Sequence, residues 1–277
     1  MLDIFQYQFI INALLVGSVI AIVAPVIGTF LVVKNFSAFA DTIAHTSLLG
    51  IVLGLIFKLN PVFTAIITAI ATALSIETIR KNQKNFNDSI LVLFMMGGLG
   101  LSTILISLNK NLGININNYL FGSINTVTQN DIWLTLVISI LVLSVVICHY
   151  KKLFQMAFDE EMALASGVGV DGINRIFMVL ASLVVSVSIP IIGVLLVSSL
   201  MIIPVLTSLK LKKGFLGTMV LASIFGVISI WVGIIGSYYL DIATGGSIVM
   251  VNVSLYILVS ILVFFPIDKT NNSVVLY

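Results

Sequence analysis

From Ile176 to Leu209 the chain runs for 34 residues without a charged side chain. A helix crosses the ~30 Å hydrocarbon core of a bilayer in about 20 residues. The run is therefore too long for one upright crossing and too apolar for water. Its middle reads "PIIG", Pro190 to Gly193. Proline removes a backbone donor and glycine permits a tight turn, so a break there and two crossings are expected. Composition extends the argument to the whole chain. Hydrophobic residues fill 60% of 277 positions, charged residues 9%, and the mean hydropathy is +1.22. Such a chain is a polytopic membrane protein rather than a soluble enzyme or a nucleic-acid-binding module.

Apolar stretches of spanning length fall at Phe9 to Val33, Ser37 to Phe57, Val62 to Ile79, Ser89 to Leu108, Ile132 to Cys148, Ile176 to Ile189, Ile192 to Leu209, Phe215 to Leu240 and Ser247 to Phe265. The expected fold is all-α, one transmembrane domain over residues 1–277 with nine spanning helices, or eight if Ile176 to Leu209 crosses once. The N-terminal "MLDIFQYQFIINALL" lacks a basic leader and a small-residue cleavage pattern, so it reads as a retained first span. Charge supports nine. With the N-terminus outside and the C-terminus inside, Lys34, Arg80, Lys81, Lys84, Lys151, Lys152, Arg175, Lys210, Lys212, Lys213 and Lys269 all face the cytoplasm, 11 of 13 basic residues. Lys58 and Lys110 remain outside. A single crossing over Ile176 to Leu209 would turn "KLKK", Lys210 to Lys213, outward, against the positive-inside rule.

Two connections exceed turn length. The outer one, Asn109 to Asp131, mixes asparagines with the apolar "YLFG" at Tyr119 to Gly122, which predicts a partial dip back into the protein. The inner one, Lys151 to Arg175, carries Asp159, Glu160 and Glu161 before the small-residue string "ALASGVGV", a pattern for a short helix ended by Gly167 or Gly169. The single cysteine, Cys148, has no internal disulfide partner and reads as an apolar filler near a span end.

Against this background "FADTIAHTSLLG", Phe39 to Gly50, holds Asp41 and one of only two histidines, His45. Residues four apart share a helix face, with Cβ atoms about 5–6 Å apart, so carboxylate and imidazole can address one ion. An aspartate in a span costs about 2.5–3.5 kcal/mol on insertion scales and normally faces a bundle interior or a water-filled path. The competing reading makes Asp41 a helix N-cap and His45 a packed, hydrogen-bonded residue. Glu77, at the inner end of the third span, is either a pathway residue or a partner for Arg80 or Lys81 at helical spacing. His149 beside Tyr150 and Lys151 reads as interfacial, and Met95 and Met96 as packing.

No G-x-x-x-x-G-K-[ST] motif occurs, so the chain has no phosphate-cradling loop and is not expected to be an ATPase or any other enzyme. Two energy sources stay open on the residues alone. One is a separate ATPase; the other is ion coupling through Asp41 and Glu77, as in a secondary metal carrier. A metal-dependent intramembrane enzyme is disfavoured, because one histidine and one carboxylate fall short of the three protein ligands usual at catalytic zinc.

Three further segments bear on the choice. "GTFLVVKNFSAFADTIAHTSLLGIVLG", "NNYLFGSINTVTQNDIW" and "DEEMALASGVGVDGINRIFMVLASLVVSVSIPIIGVLLVSSLMIIP" resemble, in order, the permease subunits of the zinc/manganese/iron-uptake ABC transporters, and "YYLDIATGGSIV" extends the resemblance. The resemblance implies a homodimeric permease in the bacterial inner membrane, embedded in lipid, with no nucleic-acid partner and no permanently bound cofactor. It implies an extracytoplasmic metal-binding protein that delivers the ion and cytoplasmic ABC ATPase subunits that drive the transport. The family's Asp-x-x-x-His metal ligands fall on Asp41 and His45, and its ATPase-coupling element on Asp159 to Gly169, which includes Glu160, Glu161, Ala165 and Gly167. Ala40 stands where the family usually has glycine. Nitrogen with oxygen ligation suits zinc first and tolerates manganese or iron.

Overall fold

The computed structural model describes residues 7–82, 87–109, 113–122 and 129–264, and all the regular structure among them is helical. In chain order the helices are α1 (Gln8–Val33), α2 (Ala38–Ile56), α3 (Pro61–Asn82), α4 (Asn87–Leu108), α5 (Gly113–Phe121) and α6 (Gln129–Phe158). They continue with α7 (Glu160–Ala165), α8 (Val170–Ile192), α9 (Val197–Leu209), α10 (Phe215–Leu240) and α11 (Thr244–Phe264). Lys84, Lys110 and Lys269, which entered the charge argument, and Phe265, the expected end of the last span, lie outside the described residues.

Eight of these helices are long and apolar enough to cross a membrane. The remaining expected span, Ile192 to Leu209, is α9, whose 13 residues rise only about 20 Å at 1.5 Å each. Of the nine expected segments, eight are of full spanning length and one, α9, is a short return. The cause is the extent of α8, which begins at Val170, ahead of the apolar run, and takes 23 residues before it stops. The break falls within the expected segment, at Gly193 rather than Pro190; Pro190 completes the last turn of α8.

Gly193 has φ +90°, a conformation in which a side chain is strained. A Cβ there would also stand 2.5 Å from Leu120 O and from Gly122 N. The backbone groups freed by the break are taken up by α5. Val194 N–H donates to Tyr119 O at 2.8 Å and Leu195 N–H to Leu120 O at 3.3 Å. The expected dip of the outer connection is thus real, and it closes the α8–α9 break.

Helix α1 is the central element, buried along most of its length from Ile10 to Leu31. It lies antiparallel to α10: Tyr7 meets Tyr238 at one end, and Phe30 meets Phe215 at the other, with ring centroids 6.1 and 5.1 Å apart. Gly28 lets α1 touch α9, where an added Cβ would stand 1.9 Å from Met201 O. Helix α11 starts beside Ser237 and Gly193's neighbour Ile192, then runs back until Tyr256 lies under Lys210 Nζ, 5.5 Å from its ring centre. Lys210 to Lys213 thereby lie at the end of the bundle that holds Phe30 and Phe215, although α9 is short.

Helix α6 outruns the apolar stretch expected to stop at Cys148. It continues to Phe158 because Leu153 and Met156 are buried and because Tyr150, Phe154 and Phe158 all pack on Phe215. Cys148 is exposed on this helix rather than packed as a filler. His149 places Nδ1 3.2 Å from Val145 O, within the same helix.

Two outcomes follow from this packing. Gly28→Ala should lower the melting temperature of the purified protein, since overpacking against backbone costs at least the usual ~1–3 kcal/mol. Gly172→Ala, where a Cβ meets nothing within 4 Å, should leave it unchanged or raise it slightly, by up to about 1 kcal/mol. The order of the two melting temperatures checks the assignment of Gly28 as a helix contact. In a Cys148→Ser background, Leu59→Cys and Lys213→Cys should react with an impermeant thiol reagent from opposite membrane faces; labelling of both from one face would contradict the alternating path.

Candidate metal site and inner charge cluster

Helix α2 begins at Ala38, with Ser37 in the N-cap position making no side-chain cap hydrogen bond. Asp41 therefore lies inside the first turn and is not the N-cap. From Phe39 to Gly54 every residue of α2 is buried except Asp41, His45, Leu49 and Leu53, which are half-buried and recur every fourth position. The other faces are covered. Thr42 Oγ1 donates to Leu91 O of α4 at 3.2 Å, Gly50 and Gly54 press on α3, and Ser47 Oγ is 3.4 Å from Ser186 Oγ of α8.

Between Phe39 and Gly54, Asp41 and His45 thus share the stripe of α2 that the described residues cover least. His45 Nδ1 is buried and has no hydrogen-bond partner, which ordinarily costs about 1–3 kcal/mol. A packed histidine bonded through that atom is not what the fold contains. Among the described residues no group of three or more His, Cys, Asp or Glu side chains gathers where one ion could bind. One chain supplies the pair and no more.

Glu77 belongs elsewhere. Its Oε2 accepts from Arg80 Nε at 3.2 Å and its Oε1 accepts from Asn174 Nδ2. Both oxygens are engaged at the end of α3, as the ion-pair reading expected. The sequence reading missed the rest of the cluster. Glu160 Oε1 of α7 takes Lys34 Nζ at 2.6 Å and Arg80 Nη2 at 3.0 Å, and Lys34 Nζ also donates to Asn174 Oδ1 at 2.5 Å. Five side chains therefore close a ring: Glu160, Lys34, Asn174, Glu77, Arg80 and back to Glu160. Lys81 and Asp171 form an exposed pair beside it. Only the Glu77–Arg80 pair has a local signal; the other bonds join residues 80 to 140 positions apart.

Burial pushes the Lys34 ammonium below its ordinary range, and Glu160 only partly opposes this. Burial pushes Glu160 up, but Lys34 and Arg80 outweigh it and hold the carboxyl below its ordinary range. Since Glu160 titrates lower in the folded state, its contribution is present above the unfolded carboxylate value and is lost as pH falls through the folded one.

Helix α7 is a self-contained unit. Asp159 Oδ1 caps its start by accepting from Glu161 N–H and Met162 N–H, both at 2.9 Å. Gly167 ends it with φ +82°, while Gly167 N–H and Val168 N–H donate back to Leu164 O and Ala163 O. Ala163 is buried, whereas Glu161, Met162, Leu164, Ala165, Gly167 and Gly169 are exposed. A Cβ at Gly167 or Gly169 would meet nothing. The result is a flat surface of small and apolar groups at the end of the bundle that carries the basic residues.

Eight helices long and apolar enough to cross a membrane, packed around a largely buried α1, define a polytopic membrane protein. The chain belongs to the ABC 3 transport family, whose model matches residues 6–263. It is 35% identical over 254 residues to a "Probable metal transport system membrane protein" of Treponema pallidum, covering 92% of this chain and 95% of that protein. It is 32% identical to the "Manganese transport system membrane protein MntC" of Halalkalibacterium halodurans over 92% of this chain and 88% of that one. The solved structure of PsaBC from Streptococcus pneumoniae in complex with Fab superimposes with a TM-score of 0.83 at 28% identity, covering 96% of this chain and 94% of that one. The chain is therefore the permease of an ABC-type metal-uptake transporter, a multi-pass protein of the bacterial inner membrane.

Proposed function

We propose that two copies of this chain pass a divalent transition metal, zinc or manganese, into the cytoplasm between two Asp41–His45 pairs. The observation that carries the reading is the least covered stripe of α2, which holds both side chains and the unpartnered His45 Nδ1. A two-fold axis beside α2 brings two carboxylates and two imidazoles together and lets Leu49 and Leu53 cover their counterparts. Four donors of nitrogen and oxygen satisfy tetrahedral zinc, and carboxylate with water extends the set to the higher coordination of manganese. Iron is third by the same chemistry. The ion arrives from an extracytoplasmic binding protein, with the N-terminus of the permease outside and its C-terminus inside. A separate ATPase docks on the Asp159–Gly169 surface and drives the cycle.

The neutral imidazole is the ligand, so acid weakens binding as His45 gains a proton. Asp41→Ala and His45→Ala should each abolish manganese(II) and zinc(II) uptake while the dimer still assembles. Metal analysis of the purified dimer should give one ion per two chains. One tight ion per chain, or full uptake in either variant, would remove the shared site. Uptake that collapses with an uncoupler while ATP is maintained would favour the ion-coupled carrier instead.

A further inference from the structure

The ring ties α7 and the end of α1 to α3 and α8, which pack closely on each other. Glu160 belongs to α7, Lys34 to the end of α1, Glu77 and Arg80 to α3, and Asn174 to the first turns of α8. Helix α7 has one buried side chain, Ala163, so the Glu160 carboxylate is its principal polar tie to the bundle. The tie is held in surroundings that exclude water from its partners: the side chains of Lys34, Glu77 and Arg80 are 6%, 7% and 14% exposed. Removing a member leaves another charge buried without its partner, so the ring holds or fails as a unit. A half-open cavity of about 300 Å³ lined by Glu77, Arg80, Glu160 and Asn174 lies against it.

The ring also reaches the helix that carries the candidate ligands. The Arg80 guanidinium lies over the Phe36 ring, 5.7 Å from its centre. Phe36 stacks on Phe39 at 5.3 Å, and both are buried. Phe39 is the second residue of α2, half a turn before Asp41. No bond to either ligand is involved; the contact is with the backbone turn on which Asp41 stands.

We infer that this ring is the link through which a displacement of α7 is passed to α2, with Arg80 as the hinge: Glu160 pulls on it from one side and Phe36 follows it on the other. The inference rests on the permease reading above and deepens it. Lys34 and Arg80 are positioning residues, since neither touches the metal nor the exposed surface of α7.

The test uses the permease assembled with its ATPase and binding protein in proteoliposomes, with manganese(II) and zinc(II) as probes. Lys34→Met should lower ATP-dependent uptake about tenfold, the scale of a coupling change of 0.5–2 kcal/mol, while ATP hydrolysis by the same vesicles persists. Lys34→Arg, which keeps the charge, should restore most of the uptake. Hydrogen exchange on the purified permease dimer supplies a readout that needs no transport. In Lys34→Met the amides of α7 and of Ala38 to His45 should exchange faster, with those of α10 unchanged. Glu160→Gln should give the same exchange pattern, which keeps the test available if the buried lysine proves necessary for folding. Uptake and hydrolysis that fall together, or faster exchange confined to α7, would reduce the ring to a brace and overturn the link. Wild-type vesicles with no ATP-dependent uptake would instead overturn the permease reading, and the exchange pattern would still decide the link.

Discussion

A backbone amide or carbonyl left unpaired in hydrocarbon costs several kcal/mol, and everything in this fold obeys that cost. It makes the spans helical, and it decides what happens where a helix must stop. At the α8–α9 break, inside the bundle, consecutive backbone groups lose their helical partners. They are taken up by Tyr119 and Leu120 of α5. Because the contact is backbone to backbone, both sides need glycine: Gly193 and Gly122 sit at φ +90° and +74°, each where a Cβ would strike the other strand of chain. The outer connection is therefore part of the membrane fold, although α5 itself is only nine residues long.

The same cost sorts the polar side chains. Serines and threonines within the spans mostly donate to a carbonyl one turn back, as Thr29 does to Pro25 O and Ser188 to Val184 O. The charged groups of the ring neutralise one another: Lys34 and Arg80 stand against Glu77 and Glu160, with Asn174 bridging Lys34 and Glu77. Asp41 and His45 follow neither pattern. They lie on the least covered stripe of α2, and an imidazole nitrogen is left without a partner. On α2 the other buried side-chain hydroxyls are settled within the chain, and His45 Nδ1 is the buried side-chain atom that is not.

Much of this was legible in the sequence, for reasons that differ by residue. Apolar runs gave the spans because lipid admits little else, and "PIIG" gave the break because proline and glycine act locally. The Glu77–Arg80 pair and the Gly167 stop were legible for the same reason, as both are set by spacing within one helix. What was not legible is long in sequence. Lys34 and Glu160 are 126 positions apart, and nothing near either one names the other. The length of α9 was misjudged because hydropathy does not say where in a 34-residue run one helix ends. The continuation of α6 past Cys148 was missed because it depends on Phe215, in another helix.

The two polar centres differ in completeness. The ring of Glu160, Lys34, Asn174, Glu77 and Arg80 closes within one chain. The Asp41–His45 pair does not, since His45 Nδ1 has no partner. A ring that grips α2 near its first turn, through Arg80, Phe36 and Phe39, acts on the end of the helix where Asp41 sits. The helix is held along its length, by Thr42 and Thr46 against α4 and by Gly50 and Gly54 against α3, so the turn that carries Asp41 and the leucines further along belong to one packed body.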